Sequence, residues 1–275
     1  MGRFVYDDHG IRLIDADGSH ALRLTDPGDG VDFDASWRPD GKAIVFRTSR
    51  GRYGPDPVGT GTEGIFVVET PSGRERQLFP TDPSAPGGLF PDWSPDGQRV
   101  ALSSLSTTNE ERIVIVDATS GRIMHDTKAS GECSEWSPDG KTIAFCRQPG
   151  NGDFEVWTMS ADGSNQRQLT TAPGADDAAI WSPDGTMIAF HSKRLDRGDL
   201  FVMRADGSDQ HAVITLPGSQ AADIWFPDGR ILFSSWATEE QILPTWFVVN
   251  ADGTGLRSVP VLDVARAGSP LDWLP

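Results

Sequence analysis

One pentapeptide recurs along this chain and limits its possible folds more than any other feature. WRPDG begins at Trp37, WSPDG at Trp93, Trp136 and Trp181, WFPDG at Trp225, and a clipped copy, WLP, at Trp273. The intervals are 56, 43, 45, 44 and 48 residues, close to the length of a four-stranded propeller blade. After each PDG comes a short apolar run, as at Ala43 to Phe46, Thr142 to Phe145 and Met187 to Phe190. A second alternating run follows and ends in a polar turn (IVIVDATSG, EVWTMSADG, LFVMRADG), and a short segment then closes near Leu-Thr, as at Arg167 to Thr170. Alternation with period two is the mark of half-buried strands, and no helical period competes with it.

Each residue of the repeat has a local task. Pro fixes φ at the second turn position, Asp tolerates the third, and Gly accepts the left-handed conformation. Trp is bulky enough to pack between neighbouring blades. Gly and Pro together make 50 of 275 residues, in keeping with many short strands joined by tight turns. Nine Trp and thirteen Phe supply enough aromatic bulk for a core, which argues against disorder.

The termini complete the count. Residues 2–25 read as the second, third and fourth strands of a blade that lacks its first, whereas SPLDWLP at 269–275 reads as a first strand with nothing after it. The expected fold is therefore all-β: a single six-bladed β-propeller of four-stranded blades over residues 1–275. Its first blade is assembled from 1–28 plus 267–275, and the others fall at about 29–82, 83–129, 130–172, 173–216 and 217–266. Such closure removes the exposed edges that an open array would leave.

The WSPDG-x-x-IAF strand pair with the following M-x-ADG-S turn resembles the PD40 repeats of TolB-like propellers. Similar repeats form the gating propellers of prolyl-oligopeptidase-type enzymes. The resemblance implies a propeller over essentially the whole chain, and it suggests a calcium ion in the central tunnel. It speaks weakly to function, because such scaffolds are reused for many tasks.

Charge and chemistry narrow the partners. The net charge of −16 repels phosphate backbones and no basic run is present, so nucleic acid is not expected. No stretch approaches a membrane span. The start, MGRFVYDD, lacks the pattern of a signal peptide, which favours the cytoplasm, or the periplasm if a leader was removed. Cys133 and Cys146 lie nearly symmetrically about the Asp139-Gly140 turn; a cross-hairpin disulfide and two buried thiols are both open, the thiols favoured. No G-x-S-x-G, H-E-x-x-H, P-loop or C-x-x-C occurs.

Strand order puts the PDG and ADG turns at one end of the blades and the irregular connections at the other, where binding is expected. The longest, Arg50 to Gly64, carries Arg50, Arg52 and Tyr53, and reads as a partner-contacting lid or a tolerated insertion. Another, SSWATEEQILPTW, offers Trp236, Ile242 and Leu243. A third carries His191, Lys193, Arg194 and Arg197, with His191 expected to be a surface residue. Carboxylates cluster before the repeat Trp residues: Asp32, Asp34, Asp92, Glu132, Glu135, Asp176, Asp177, Asp223 and Asp272. They are expected near the innermost strands, either as ligands of a tunnel Ca²⁺ or as caps and acceptors for backbone N–H groups of neighbouring blades. The expectation is a monomeric, non-catalytic scaffold that recognises a protein or peptide. The alternative is a metal-assisted lyase or hydrolase at the tunnel mouth.

Overall fold

The computed structural model describes residues 2–28, 30–49, 64–79, 87–105, 111–150, 152–195, 197–238, 240–241, 243–260 and 272–274. These form 24 strands in six four-stranded antiparallel sheets, the six blades of a β-propeller. No helix among the described residues is long and apolar enough to cross a membrane, which says nothing of strands.

The contacts separate two compact units, Met1–Ser134 with Gly268–Pro275, and Glu135–Ala267. In the first, Asp272–Leu274 (β24) joins Arg3–Asp7 (β1), Ile11–Asp15 (β2) and Leu22–Arg23 (β3) in the order β24-β1-β2-β3. The register pairs Arg3 with Leu274, Phe4 with Trp273 and Val5 with Asp272, so the last strand completes the first blade as the repeat count implies. Two more sheets follow: Asp32–Trp37 (β4), Ala43–Thr48 (β5), Gly64–Glu69 (β6) and Glu75–Phe79 (β7); then Gly87–Trp93 (β8), Arg99–Leu105 (β9), Glu111–Asp117 (β10) and Ile123–Asp126 (β11).

The boundary between the units falls inside Glu132–Trp136 (β12), which pairs in order with Thr142–Arg147 (β13), Glu155–Ser160 (β14) and Arg167–Gln168 (β15). The remaining sheets are Asp176–Trp181 (β16), Met187–Ser192 (β17), Asp199–Arg204 (β18) and His211–Ile214 (β19), and Ser219–Trp225 (β20), Arg230–Trp236 (β21), Thr245–Asn250 (β22) and Arg257–Ser258 (β23).

The repeat Trp residues hold sheet to sheet. Trp37 packs with Val5, Ile11 and Leu13 of the preceding blade and with Ile44 and Phe46 of its own. Trp93 stands likewise between Val45 and Val67 on one side and Val100 and Val114 on the other, and Trp181 between Ala144 and Val156 and Ile188 and Phe190. Burying a Trp removes roughly 150–250 Å² from water, worth on the order of 4–6 kcal/mol. The buried indole N–H groups of Trp37 and Trp93 have no acceptor among the described residues. That costs about 1–3 kcal/mol each, so ring burial wins.

The innermost strands share a further device that the repeat letters do not announce. Three residues before the repeat Trp, the backbone turns left-handed at Asp34 (φ 54), Phe90 (φ 51), Cys133 (φ 54) and Ala178 (φ 49). The ladder shifts register there, between Phe33 and Ser36, Leu89 and Asp92, and Asp177 and Ile180. These bulges re-aim the side chains around them.

Candidate functional site

At the PDG end the turns are locked. In the WSPDG copy at Trp136, Ser137 Oγ donates to Asp139 at 2.8 Å and accepts from the Thr142 N–H at 3.0 Å, while Asp139 accepts from the Lys141 N–H at 3.1 Å. Gly140 takes φ 68, a conformation only glycine adopts without strain. The same bonds recur from Ser94 to Asp96 and from Ser182 to Asp184. In the ADG turns the Asp side chain caps the residue two on, as Asp162 does for Ser164 and Asp206 for Ser208. The sequence put the expected binding at the other end. Yet a cleft of about 600 Å³ lined by Asp139, Asn165, Arg167, Trp181 and Asp184 opens between the β12–β15 and β16–β19 sheets. A second, of about 500 Å³ with Arg38, Arg76 and Trp93, opens between β4–β7 and β8–β11.

At the inner strands of the first unit the carboxylates link neighbouring blades. Asp272 accepts from the Trp37 N–H at 2.6 Å, and Asp34 accepts from the backbone of Phe90. Both are bonds from one blade to the next. The Ser36 hydroxyl donates to Asp92 at 3.1 Å and also bonds Asp272, so Asp272, Ser36 and Asp92, each just before a repeat Trp, form one chain. Asp32 is fully buried and accepts from Thr25 Oγ1 at 2.6 Å. Desolvation pushes Asp272 up to about 6 against its N–H bonds. It also pushes Asp34 up to about 6, although the Arg47 guanidinium 3.9 Å away pulls it down.

In the second unit Asp176 and Asp177 each meet a basic side chain. Asp176, fully buried, meets the Arg194 guanidinium at 2.5 Å. Arg194 in turn lies over Phe190 and Phe201 and donates to Gln210 at 2.9 Å. Arg194 is thus engaged inside its own blade. Asp177 Oδ1 bonds His191 Nδ1 at 2.9 Å. His191 is only 7% exposed, which corrects the expectation of a surface residue: it lies on β17, whose last five residues are all buried. Asp223 accepts from the Ser234 N–H at 2.8 Å, and desolvation raises it to about 7.

Glu132 and Glu135 stand half-buried on β12, and the Glu135 carbonyl accepts from Trp181 Nε1 at 3.3 Å. At the place just before the repeat Trp, Ile180 and Ile224 replace the acid, so carboxylates do not recur blade by blade. Among the described residues, no three His, Cys, Asp or Glu side chains group to hold a metal ion.

Of the other residues singled out, Arg50, Arg52, Tyr53 and Ile242 lie outside the described residues. Trp236 is half-buried at the end of β21, and Leu243 is 39% exposed. No disulfide joins Cys133, which is half-buried, to Cys146, which is buried.

The comparisons with known proteins agree with this architecture. Residues 82–257 match the family model described as the TolB beta propeller domain, PD40. Dipeptidyl-peptidase 5 of Porphyromonas gingivalis is 33% identical over 153 residues, 52% of this chain and 21% of that protein. The Tol-Pal system protein TolB of Anaeromyxobacter dehalogenans is 32% identical over 113 residues, 40% of this chain and 25% of that protein. The chain thus spans a quarter or less of the length of these two relatives. The crystal structure of TolB from Acinetobacter baumannii superposes with a TM-score of 0.79 at 15% identity, over 100% of this chain and 67% of the other, a likeness of fold alone. With the family model spanning well over half of its length, the chain belongs to the TolB β-propeller (PD40) family.

Proposed function

We propose that the chain is a binding scaffold that captures a protein or peptide at the blade ends carrying the unequal connections. The observation that supports this most is the contrast between the two ends of each blade. At one end, side-chain bonds fasten repeated turns in the same way from blade to blade. At the other, each connection differs in length and composition and presents groups such as Trp236 and Leu243. Aromatic and aliphatic side chains on a rigid frame are the usual anchors of a protein interface, and a net charge of −16 favours a basic partner. The TolB relative belongs by name to the Tol-Pal system, a setting consistent with an interaction role.

The test is selection of basic and neutral peptides from a displayed library, followed by affinity measurement on variants. Trp236→Ala and Leu243→Ala should weaken the selected peptides about thirtyfold or more, an effect of hot-spot size. Asn165→Ala, in the turn-end cleft, should leave them unchanged. Sensitivity to Asn165 alone would move the site to the other end.

Calcium enters this proposal at one place, where Asp92 and Asp272 share the Ser36 hydroxyl. Ca²⁺ takes about six to eight oxygens, so waters would have to complete its shell. Calorimetric titration of chelator-stripped protein is decisive. Saturable heat lost in Asp92→Asn supports the ion, and no heat removes it.

A further inference from the structure

Three polar side chains from two blades converge in the second unit beyond anything the blade repeat requires. The β16–β17 register sets Asp177 opposite His191, and the bulge at Ala178 (φ 49) directly follows that pair. His191 Nδ1 stands 2.9 Å from Asp177 Oδ1. His191 Nε2 stands 3.4 Å from Ser219 Oγ, on the first residue of β20 in the next blade. The carboxylate holds the proton on Nδ1 and leaves Nε2 as the acceptor for the Ser219 hydroxyl.

The surroundings fix this arrangement. Gly198 has φ 111, and a Cβ there would lie 2.0 Å from His191 Nε2, so only glycine leaves the imidazole its place. The Gly198 carbonyl accepts from the Gln220 N–H at 3.0 Å, which ties the start of β20 to the same point. Asp199, on β18, adds a second carboxylate near the ring. His191 is buried, while Ser219 and Asp177 are partly open to solvent, so a reactant would meet the hydroxyl first.

A structural origin predicts that similar trios recur around the repeat. They do not. The residues four before and ten after the repeat Trp, with that six before the next Trp, are Phe33, Arg47 and Gly87 in one case and Glu132, Cys146 and Ala175 in another. Serine, imidazole and carboxylate coincide only at Ser219, His191 and Asp177.

We propose that these residues form a nucleophilic triad that accepts an acyl group from small activated esters, an activity separate from partner capture. Ser219 Oγ attacks the ester carbonyl and forms the C–O bond as its proton passes to His191 Nε2. The tetrahedral adduct expels the alcohol, which takes that proton. Water then attacks the acyl-serine with His191 again as base, releasing the acid and restoring the hydroxyl. Asp177 orients the ring and stabilises its charged form throughout.

The probe is a fluorophosphonate, which phosphonylates such a serine with loss of fluoride, read by intact-mass spectrometry and peptide mapping; p-nitrophenyl acetate turnover follows the acyl reaction. One adduct is expected, on Ser219, and it should be absent in Ser219→Ala. A positioned base contributes about 10²–10⁴-fold, so His191→Gln should label at least about a hundredfold more slowly. Should that variant not fold, Asp177→Asn, which keeps the side chain's shape, should label at least about tenfold more slowly with an unchanged melting curve. No adduct on Ser219, or an adduct formed as fast in the folded His191 or Asp177 variants as in the parent, overturns the proposal.

Discussion

Replacing Trp273 by Ala isolates the contribution of the closing strand. In the first blade β24 pairs with β1 over only three residue pairs, so much of its hold must come from side chains. The Trp273 ring stacks at a tilt on Phe4 with centroids 4.6 Å apart and lies against the backbone of Gly2, where a Cβ would fall 1.7 Å from Cζ2. Trp→Ala in a core costs about 3–5 kcal/mol, and because Trp273 is half-buried the lower end applies, about 3 kcal/mol. For 275 residues at about 2.1 cal/mol/K per residue, the unfolding entropy is about 0.6 kcal/mol/K, and Tm should fall by about 5 °C. Far-UV circular dichroism melts of Trp273→Ala and of Leu256→Ala, an exposed control 39% accessible, measure it. The control should shift by less than about 1 °C. A Trp273→Ala shift no larger than the control's would refute the claim that β24 holds the blade.

Other perturbations follow from the same bonds. Removing residues 269–275 strips β1 of its partner strand and the Trp37 N–H of its acceptor, so size-exclusion chromatography should show association through the bared edge. Ser137→Ala deletes two bonds of the locked turn and should cost about 1–2 kcal/mol in urea denaturation. Asp223 has its folded pKa raised to about 7, so the folded state holds a proton that the unfolded chain releases near pH 4. Its contribution is present at low pH and is lost as pH rises from about 4 to 7; the Asp223→Asn variant should show a shallower decline in Tm over that window. Gly198→Ala drives a Cβ into His191 and should lower Tm and abolish fluorophosphonate labelling together.

The blade count and the packing of the repeat Trp residues were legible in the sequence, because each follows from a local rule repeated at a fixed spacing. Trp37, Trp93 and Trp181 stand between blades since only a large flat ring fills that gap. The turn chemistry was half legible: the φ roles of Pro and Gly could be read, but the Ser137 to Asp139 cross-link could not be read from turn propensities alone.

What escaped the sequence lies around the bulges. Asp34, Phe90, Cys133 and Ala178 share one backbone state but no residue type, so composition gives no sign of it. The bulge re-aims the side chains around it, and Asp92, two residues after the one at Phe90, bonds the Ser36 hydroxyl of the neighbouring blade. The Asp177–His191 pair did leave a signal: aligned on the repeat Trp, its positions also pair Phe33 with Arg47. Reading hairpin partners across the PDG turn would have placed His191 inside the blade.

The central claim, that a partner is captured at the ends with unequal connections, is tested most directly by hydrogen–deuterium exchange of the protein alone and with a saturating selected peptide. Protection is expected in residues 216–220 and 236–245, with the turns at 137–141 and 160–166 unchanged. Protection confined to those turns, or to the cleft beside Trp181, would contradict it.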